Sequence, residues 1–140
     1  MKPKLYFGHP VNTYGTELEK KLLATIQHKF FFCNIVNPSD KHHCEEYERW
    51  TREKGNGMNY FLNEVLPSCD SGVFLAFRDG KWGAGVWKEM QVLVSLGKAV
   101  FEVTCEERFL AADFQDESRV LSIEETRARI RDKDRHPLPY

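Results

Sequence analysis

The sequence has no long apolar run and almost no net charge. No stretch approaches the roughly 20 apolar residues that a membrane-spanning helix needs, and the N-terminal MKPKLYFGHP lacks the apolar core of a signal peptide. We therefore expect a cytoplasmic protein that does not bind a membrane. A formal net charge of −1 leaves no broad basic surface, which argues against a nucleic-acid polymer as partner.

The sequence also lacks the usual motifs of metal and cofactor sites. Its four cysteines, Cys33, Cys44, Cys69 and Cys105, form no C-x-x-C, so we expect unpaired thiols. A zinc site could combine residues 42–44 (HHC) with His9 or Cys33, but this spacing fits no ligand pattern, and adjacent histidines do not readily face one ion. The GKWGAG segment matches neither G-x-G-x-x-G nor a P-loop. We predict no metal and no cofactor.

What is present is the composition of one globular domain. The chain has 140 residues, of which 41% are hydrophobic and 29% charged, and these values are typical of a soluble domain. A chain of this length buries enough surface for one core. We therefore predict a single domain over residues 1–140.

Strand patterns and helix patterns alternate along the chain. The strands are predicted at KLYFG (4–8), FFFCNIVN (30–37), GVFLAF (72–77), AVFEV (99–103) and RVLS (119–122). Helical spacing occurs at 16–30, 58–69, 85–97 and from 123, where Ser122 and Glu125 form a capping-box pattern. The polar segment 39–57 is predicted as a loop with a short helix. This alternation predicts an α/β protein, with a parallel five-stranded sheet in the order 2-1-3-4-5 and helices on both faces.

Ligands of such sheets bind at the carboxyl ends of the strands. The rule selects the loops GHPVNTYG, NPSD and RDGKWGAG, together with the stretch from Thr104. Glu89 lies near the start of the helix that follows the third strand, so it belongs to the same edge of the sheet.

Glu89 occupies the apolar side of its helix, where a leucine would be ordinary. One interpretation is a half-exposed acid or an ion-pair partner. The other is a partly desolvated carboxylate that faces the ligand, that the helix N-terminus keeps ionised, and that can attack an anomeric carbon. Asp70 is either a turn residue or a second functional acid. Tyr6 is either a core phenol or a hydrogen-bond donor to Glu89.

Around these residues the chain resembles the nucleoside 2-deoxyribosyltransferase-like family, which includes nucleotide N-glycosidases. The resemblance is carried by LYFGHP, by an Asp before the third strand, and by GAGVWKEM followed by Gly-Lys and a strand. It implies a flavodoxin-like doubly wound sheet, with Glu89 as nucleophile, Tyr6 as the residue that orients it, and Asp70 as an acid beside the base or sugar. The implied reaction is cleavage or transfer of the N-glycosidic bond of a nucleoside or nucleoside 5′-monophosphate.

The substrate would then contact the rim loops. The residues expected to bind it are Gly8, His9, Pro10, Asp79, Lys81, Gly83 and Gly85. In this sequence Gly83 stands where many family members have Asp. A phosphate would be held by Arg78, Lys81 or His9 and by backbone N–H groups near Gly83 and Gly85.

Several alternatives stay open at this point. The rim aromatics Tyr14, Trp82 and Trp87 also fit a non-catalytic nucleotide-binding module. The base, the sugar, and transfer versus hydrolysis are undecided. We expect a homodimer or higher oligomer, because a cleft rimmed by Trp82, Trp87 and Phe77 would expose apolar surface. The resemblance further suggests that Tyr140 enters a neighbouring subunit's site.

Overall fold

A computed structural model describes residues 2–140 and contains a five-stranded sheet in the order β2-β1-β3-β4-β5. The strands are β1 (Lys4–Gly8), β2 (Asn34–Val36), β3 (Ser71–Leu75), β4 (Ala99–Val103) and β5 (Phe109–Ala111). Strand β1 is parallel to both β2 and β3, and β3 is parallel to β4. Strand β5 is antiparallel to β4. The predicted α/β class and strand order are confirmed, but the sheet is only mostly parallel.

The predicted fifth strand at 119–122 is wrong. Glu117–Arg119 forms a 3₁₀ turn, and Val120 makes only an isolated bridge to Trp82. The fifth strand comes earlier, after a tight turn in which the Thr104 N–H donates to the Arg108 carbonyl and Glu107 has φ +67°. So short a connection can only join antiparallel strands. The alternation of strands and helices therefore ends at β4.

Five helices connect and cover the strands. They are α1 (Glu17–Lys29), α2 (Lys41–Lys54), α3 (residues 58–68), α4 (Ala84–Ser95) and α5 (Ile123–Ile130). The centre of α3, Phe61–Val65, is π-helical. The capping box of Ser122 and Glu125 at the start of α5 is confirmed. Within residues 2–140, none of the helices combines the length and the apolar character needed to cross a bilayer.

Helix α2 is longer than the sequence indicated. The segment 39–57, predicted as mostly loop, contains a helix of 14 residues that ends where Gly55 adopts a left-handed conformation, φ +75°. Only Trp50 of this helix is fully buried. Its polar composition is therefore that of a helix on the protein surface. The charged residues of this segment do not by themselves distinguish such a helix from a loop.

Helices cover both faces of the sheet, as predicted. Successive strand residues point to opposite faces, so Leu5 and Phe7 pack with α1 while Tyr6 packs on the other side. The first core includes Leu22, Ile26, Val73 and Leu75, and the second includes Phe61, Leu66, Phe74, Met90 and Leu93. The second core brings α3 and α4 against Tyr6, and this packing positions the site described next.

Candidate active site

A cavity of about 410 Å³ lies at the edge of the sheet where the parallel strands end. Segments that directly follow β1, β2 and β3 line it, and helices α2, α3, α4 and α5 complete its walls. The lining residues are His9, Pro10, Val11, Tyr14, Pro38, Cys44, Tyr47, Glu48, Met58, Phe61, Phe77, Gly83, Gly85, Val86, Glu89, Thr126, Ile130 and Arg131. The cavity therefore occupies the edge where ligands of open α/β sheets bind.

Glu89 reaches this cavity from α4 and is almost completely buried, with 6% of its surface exposed. The Tyr6 hydroxyl donates a hydrogen bond to Glu89 Oε2. Among residues 2–140 no group donates to the other oxygen, Oε1, and Glu89 is part of the cavity lining. One carboxyl oxygen is thus fixed by the protein, and the other is free for a ligand.

Gly8, at the end of β1, makes room for this carboxyl group. A Cβ atom at Gly8 would lie 2.4 Å from Phe74 Cδ1 and 3.2 Å from Glu89 Oε1. The first distance is far below van der Waals contact, so any side chain would displace the Phe74 ring. The role of Gly8 is therefore to let Phe74 and Glu89 approach the strand end.

Burial controls the protonation of Glu89. Desolvation raises its pKa from the ordinary 4.5 to about 8, while the hydrogen bond from Tyr6 acts in the opposite direction. Our expectation that the helix N-terminus keeps Glu89 ionised is wrong for the free protein. Helix α4 begins at Ala84, so Glu89 lies beyond the first turn, where the dipole effect has faded. Burial therefore favours the protonated form of Glu89 in the free protein.

Aromatic rings form much of the wall around Glu89. Phe61 contacts the Tyr6 ring edge-on at 6.4 Å between centroids, and Tyr14, Tyr47 and Phe77 line the same space. Phe61 belongs to the π-helical turn of α3, an irregularity that often occurs at functional sites. A cavity with such walls suits a flat, aromatic ligand group.

No protein-family model, curated protein or solved structure matches the chain. The likeness to nucleoside 2-deoxyribosyltransferases is carried only by the residues named above and stays a prediction. The structure places Tyr6, Gly8 and Glu89 close together, and it places other residues expected in the site elsewhere.

Asp70 lies at the wrong end of the sheet to act with Glu89. Its Oδ2 accepts the Lys4 N–H at 2.8 Å, and its own N–H donates to the Lys4 carbonyl at 2.8 Å. This is the amino end of β3, whereas Gly8 pairs with Phe74, about 13 Å further along the strand at roughly 3.3 Å per residue. Within this chain Asp70 anchors the start of β1 to β3 and does not contact the cavity.

This position predicts the behaviour of an Asp70→Asn variant. Its amide oxygen can still accept the Lys4 N–H, so we expect stability to change by less than about 1 kcal/mol. Any enzymatic base release should stay within about twofold of wild type, because Asp70 does not line the cavity. Urea unfolding and base-release kinetics measure the two quantities. A hundredfold loss of turnover with normal stability would restore Asp70 as a catalytic residue.

Four of the expected substrate-binding residues line the cavity: His9, Pro10, Gly83 and Gly85. The His9 ring nitrogens are already engaged, Nδ1 with Thr13 Oγ1 at 2.6 Å and Nε2 with Asn37 Oδ1 at 2.9 Å. Burial lowers the pKa of His9, while Asn37 and Glu19 oppose this effect. His9 therefore forms the wall with its ring and has no free nitrogen for a phosphate.

Asp79 and Lys81 do not line the cavity, and their expected role is wrong. Both oxygens of Asp79 accept from Arg129 of α5, at 2.7 and 2.8 Å, and this interaction lowers the pKa of Asp79 to about 2. Lys81 Nζ donates to the Ser118 carbonyl at 3.2 Å. The loop after β3 folds toward α5 and the 3₁₀ turn, because its charged groups find their partners there.

Arg78 is also engaged elsewhere. Its Nε donates to the Tyr140 carbonyl at 3.1 Å, and its guanidinium lies over the Tyr140 ring. The Tyr140 hydroxyl donates to the Ala76 carbonyl of the same chain. Tyr140 therefore packs on its own chain, and a role in a neighbouring subunit's site stays a prediction. The phosphate cradle predicted from Arg78, Lys81 and His9 is not assembled.

Two of the three aromatic residues expected to expose apolar surface at the rim of the cleft are buried. Trp82 is completely buried and Phe77 is 6% exposed, so neither leaves apolar surface at the rim. Self-association itself stays a prediction. All four cysteines are unpaired, as expected. Two of the histidines considered for zinc are engaged in hydrogen bonds instead, His9 with Thr13 and Asn37 and His43 with the Tyr60 hydroxyl at 2.7 Å.

Sequence reasoning missed the parts of the cavity wall that come from helices α2, α3 and α5. Tyr47, Glu48 and Cys44 come from α2, which was not predicted as a helix of this length, and Thr126 and Arg131 come from the region of α5. Thr126 Oγ1 accepts the Ala84 N–H at 2.9 Å, which joins α5 to the start of α4. The only signal for these residues was the capping box that begins α5.

Proposed function

We propose that this protein cleaves or transfers the N-glycosidic bond of a nucleoside, with Glu89 as nucleophile. The observation that carries the proposal is the carboxyl group of Glu89, which is buried, held by Tyr6 at one oxygen and open to an aromatic cavity at the other. The strand order, which is that of flavodoxin-like sheets, and the resemblance at LYFGHP and GAGVWKEM support the same reading.

The reaction follows the double displacement of retaining glycosyl-transfer enzymes. The carboxylate of Glu89 forms a bond to the anomeric carbon of the sugar, and the bond from that carbon to the base nitrogen breaks. The base leaves with the electron pair and takes up a proton from solvent water. Water then attacks the glycosyl ester and releases the sugar, or a second base attacks and a new nucleoside forms. Either step returns Glu89 as a carboxylate.

The distribution of charge favours an unphosphorylated substrate. The expected phosphate ligands Arg78 and Lys81 are bound to Tyr140 and Ser118. Within the cavity lining of residues 2–140, Arg131 is the one arginine or lysine, and Glu48 and Glu89 are acids. A 5′-phosphate would therefore enter a site with little cationic compensation. A free nucleoside meets no such cost.

A non-catalytic nucleoside-binding module is the second candidate. It is favoured by the absence of another acid beside Glu89, since Asp70 lies at the opposite end of β3 and the cavity's other carboxylate, Glu48, is exposed. A module of this kind would bind a nucleoside with Glu89 protonated and would leave the ligand intact.

Incubation with a panel of nucleosides and their 5′-monophosphates tests these proposals. Chromatography measures free base, and calorimetry measures binding. We expect base release, with kcat/KM for a nucleoside at least about tenfold above that for its monophosphate, and with the ratio unchanged in Lys81→Ala. Saturable binding without base release would support the binding module. A preference for monophosphates that Lys81→Ala removes would contradict our account of charge.

A further inference from the structure

The phenol of Tyr14 is a polar group of the cavity that the protein leaves without a partner. Tyr14 follows the 3₁₀ turn Val11–Thr13, and its backbone N–H donates to the Val11 carbonyl at 3.0 Å. Its ring packs on His9 with 4.9 Å between centroids. The backbone and the ring are thus held in place. Among residues 2–140 nothing forms a hydrogen bond with its hydroxyl.

Other tyrosines of the chain behave differently. Tyr6 donates to Glu89, Tyr60 is hydrogen-bonded to His43, and Tyr140 donates to Ala76. Tyr47 lines the cavity as well, but it is 42% exposed, so water satisfies its hydroxyl. A more buried tyrosine usually has a partner for its hydroxyl. Tyr14 is half-buried, and its hydroxyl is free to take a ligand of the cavity as its partner.

We propose that the Tyr14 hydroxyl donates a hydrogen bond to a sugar hydroxyl of the nucleoside, and that Tyr14 determines which sugar the site accepts. This inference rests on the proposed function. For Glu89 to reach the anomeric carbon, the sugar must lie against Glu89, and Tyr14 lines the same cavity. The aromatic wall of Phe61 and Phe77 is then left for the base.

The electrostatics of the cavity are consistent with a donor. Burial and, after it, the nearby Glu89 raise the pKa of Tyr14. Its hydroxyl consequently keeps its proton at all physiological pH values. A site that donates a hydrogen bond to a substrate hydroxyl discriminates strongly against an analogue that lacks it, because the donor is then left unpaired.

The experiment combines variants of the protein with variants of the ligand. Tyr14→Phe removes one hydroxyl, and Tyr6→Phe is the matched control that removes the hydroxyl bound to Glu89. Each protein is assayed with a nucleoside and with its analogues that lack the 2′-, 3′- or 5′-hydroxyl. Dissociation constants for the same ligands are measured in the Glu89→Gln background, where turnover is blocked.

We expect Tyr14→Phe to leave the melting temperature unchanged, because the hydroxyl makes no contact within the protein. Affinity and kcat/KM for the parent nucleoside should fall about 2- to 10-fold. For one analogue, the one lacking the bonded hydroxyl, the variant and the wild type should be equal. Tyr6→Phe should lower the melting temperature and reduce turnover of every ligand alike.

Three results would overturn the inference. If Tyr14→Phe weakens every analogue by the same factor, its hydroxyl does not meet the sugar, although the proposed function survives. If Tyr14→Phe lowers the melting temperature as Tyr6→Phe does, its hydroxyl has a structural role. If the wild-type protein neither binds nor cleaves any nucleoside, the proposed function fails, and the role of Tyr14 fails with it.

Discussion

Replacing Glu89 with glutamine should abolish base release and leave the protein folded. The variant cannot form a glycosyl ester, so we expect kcat/KM to fall by about three orders of magnitude or more. The fold should persist because glutamine resembles the protonated carboxyl group that burial favours in the free protein. The Tyr6 hydroxyl can still donate to the amide oxygen. Chromatographic base release and calorimetric binding measure the two effects.

The matched control for this variant is Glu48→Gln, which removes the other carboxylate of the cavity lining. Glu48 is exposed, so its loss should change kcat/KM by no more than a few-fold. Unaltered turnover in Glu89→Gln would mean that the nucleophile is another group. Unfolding of Glu89→Gln would mean that Glu89 acts mainly as a structural partner of Tyr6.

The pH dependence of the wild type follows from the same carboxyl group. Only the ionised form is nucleophilic, so kcat/KM should rise with pH and level off above the pKa of about 8. Stability should change in the opposite direction. The folded state holds a proton on Glu89 that the unfolded state loses above pH 4.5, so wild-type stability falls between about pH 5 and 8 relative to Glu89→Gln. Urea titrations across this range measure the difference.

Removing the guanidinium of Arg119 should lower the free energy of unfolding more than the substitutions at Asp70 or Arg129. Its Nη1 and Nη2 donate to the two oxygens of Glu102 at 3.0 and 2.7 Å, and its Nε donates to the Gly80 carbonyl at 2.7 Å. Glu102 is only 6% exposed, so Arg119→Met would leave a buried carboxylate unpaired. We expect the free energy of unfolding to fall by about 3 kcal/mol, measured by urea unfolding at pH 7.

The exposed pair of Arg129 and Asp79 provides a matched control. Its geometry is also forked, at 2.7 and 2.8 Å, but the side chains are 34% and 47% exposed. Arg129→Met should therefore cost less than about 1 kcal/mol. Adding Glu102→Gln to Arg119→Met should recover part of the lost stability, because it removes the orphaned charge. Equal losses for Arg119→Met and Arg129→Met would contradict this account.

Glu89 and Tyr6, which the structure joins by a hydrogen bond, each have a local signature in the sequence. Glu89 stands on the apolar side of its helix, and Tyr6 lies in a strand that ends in glycine two residues later. Such patterns are readable because the helical and strand periods fix where neighbouring side chains point. The structure unites Tyr6, Gly8 and Glu89 because β1 and the start of α4 meet at one edge of the sheet.

Asp70 was expected in the site although it directly precedes a strand of the parallel sheet. A residue directly before a parallel strand lies at the amino edge of the sheet, whereas ligands bind at the carboxyl edge. The register of β1 and β3 places Asp70 beside Lys4. The missed β5 has a different cause, since a short antiparallel strand at the edge carries little periodicity.

The sequence by itself determined the α/β class and the side of α4 on which Glu89 lies, because these features depend on residues only a few positions apart. The tertiary structure decided which lysine and arginine side chains remain free to bind a ligand and which aromatic rings form the cavity. It also decided how burial shifts the protonation of Glu89. Those properties depend on burial and on partners distant in sequence, such as Asp79 with Arg129 or Tyr6 with Glu89. Desolvation and pairing arise only when the chain has closed around the site.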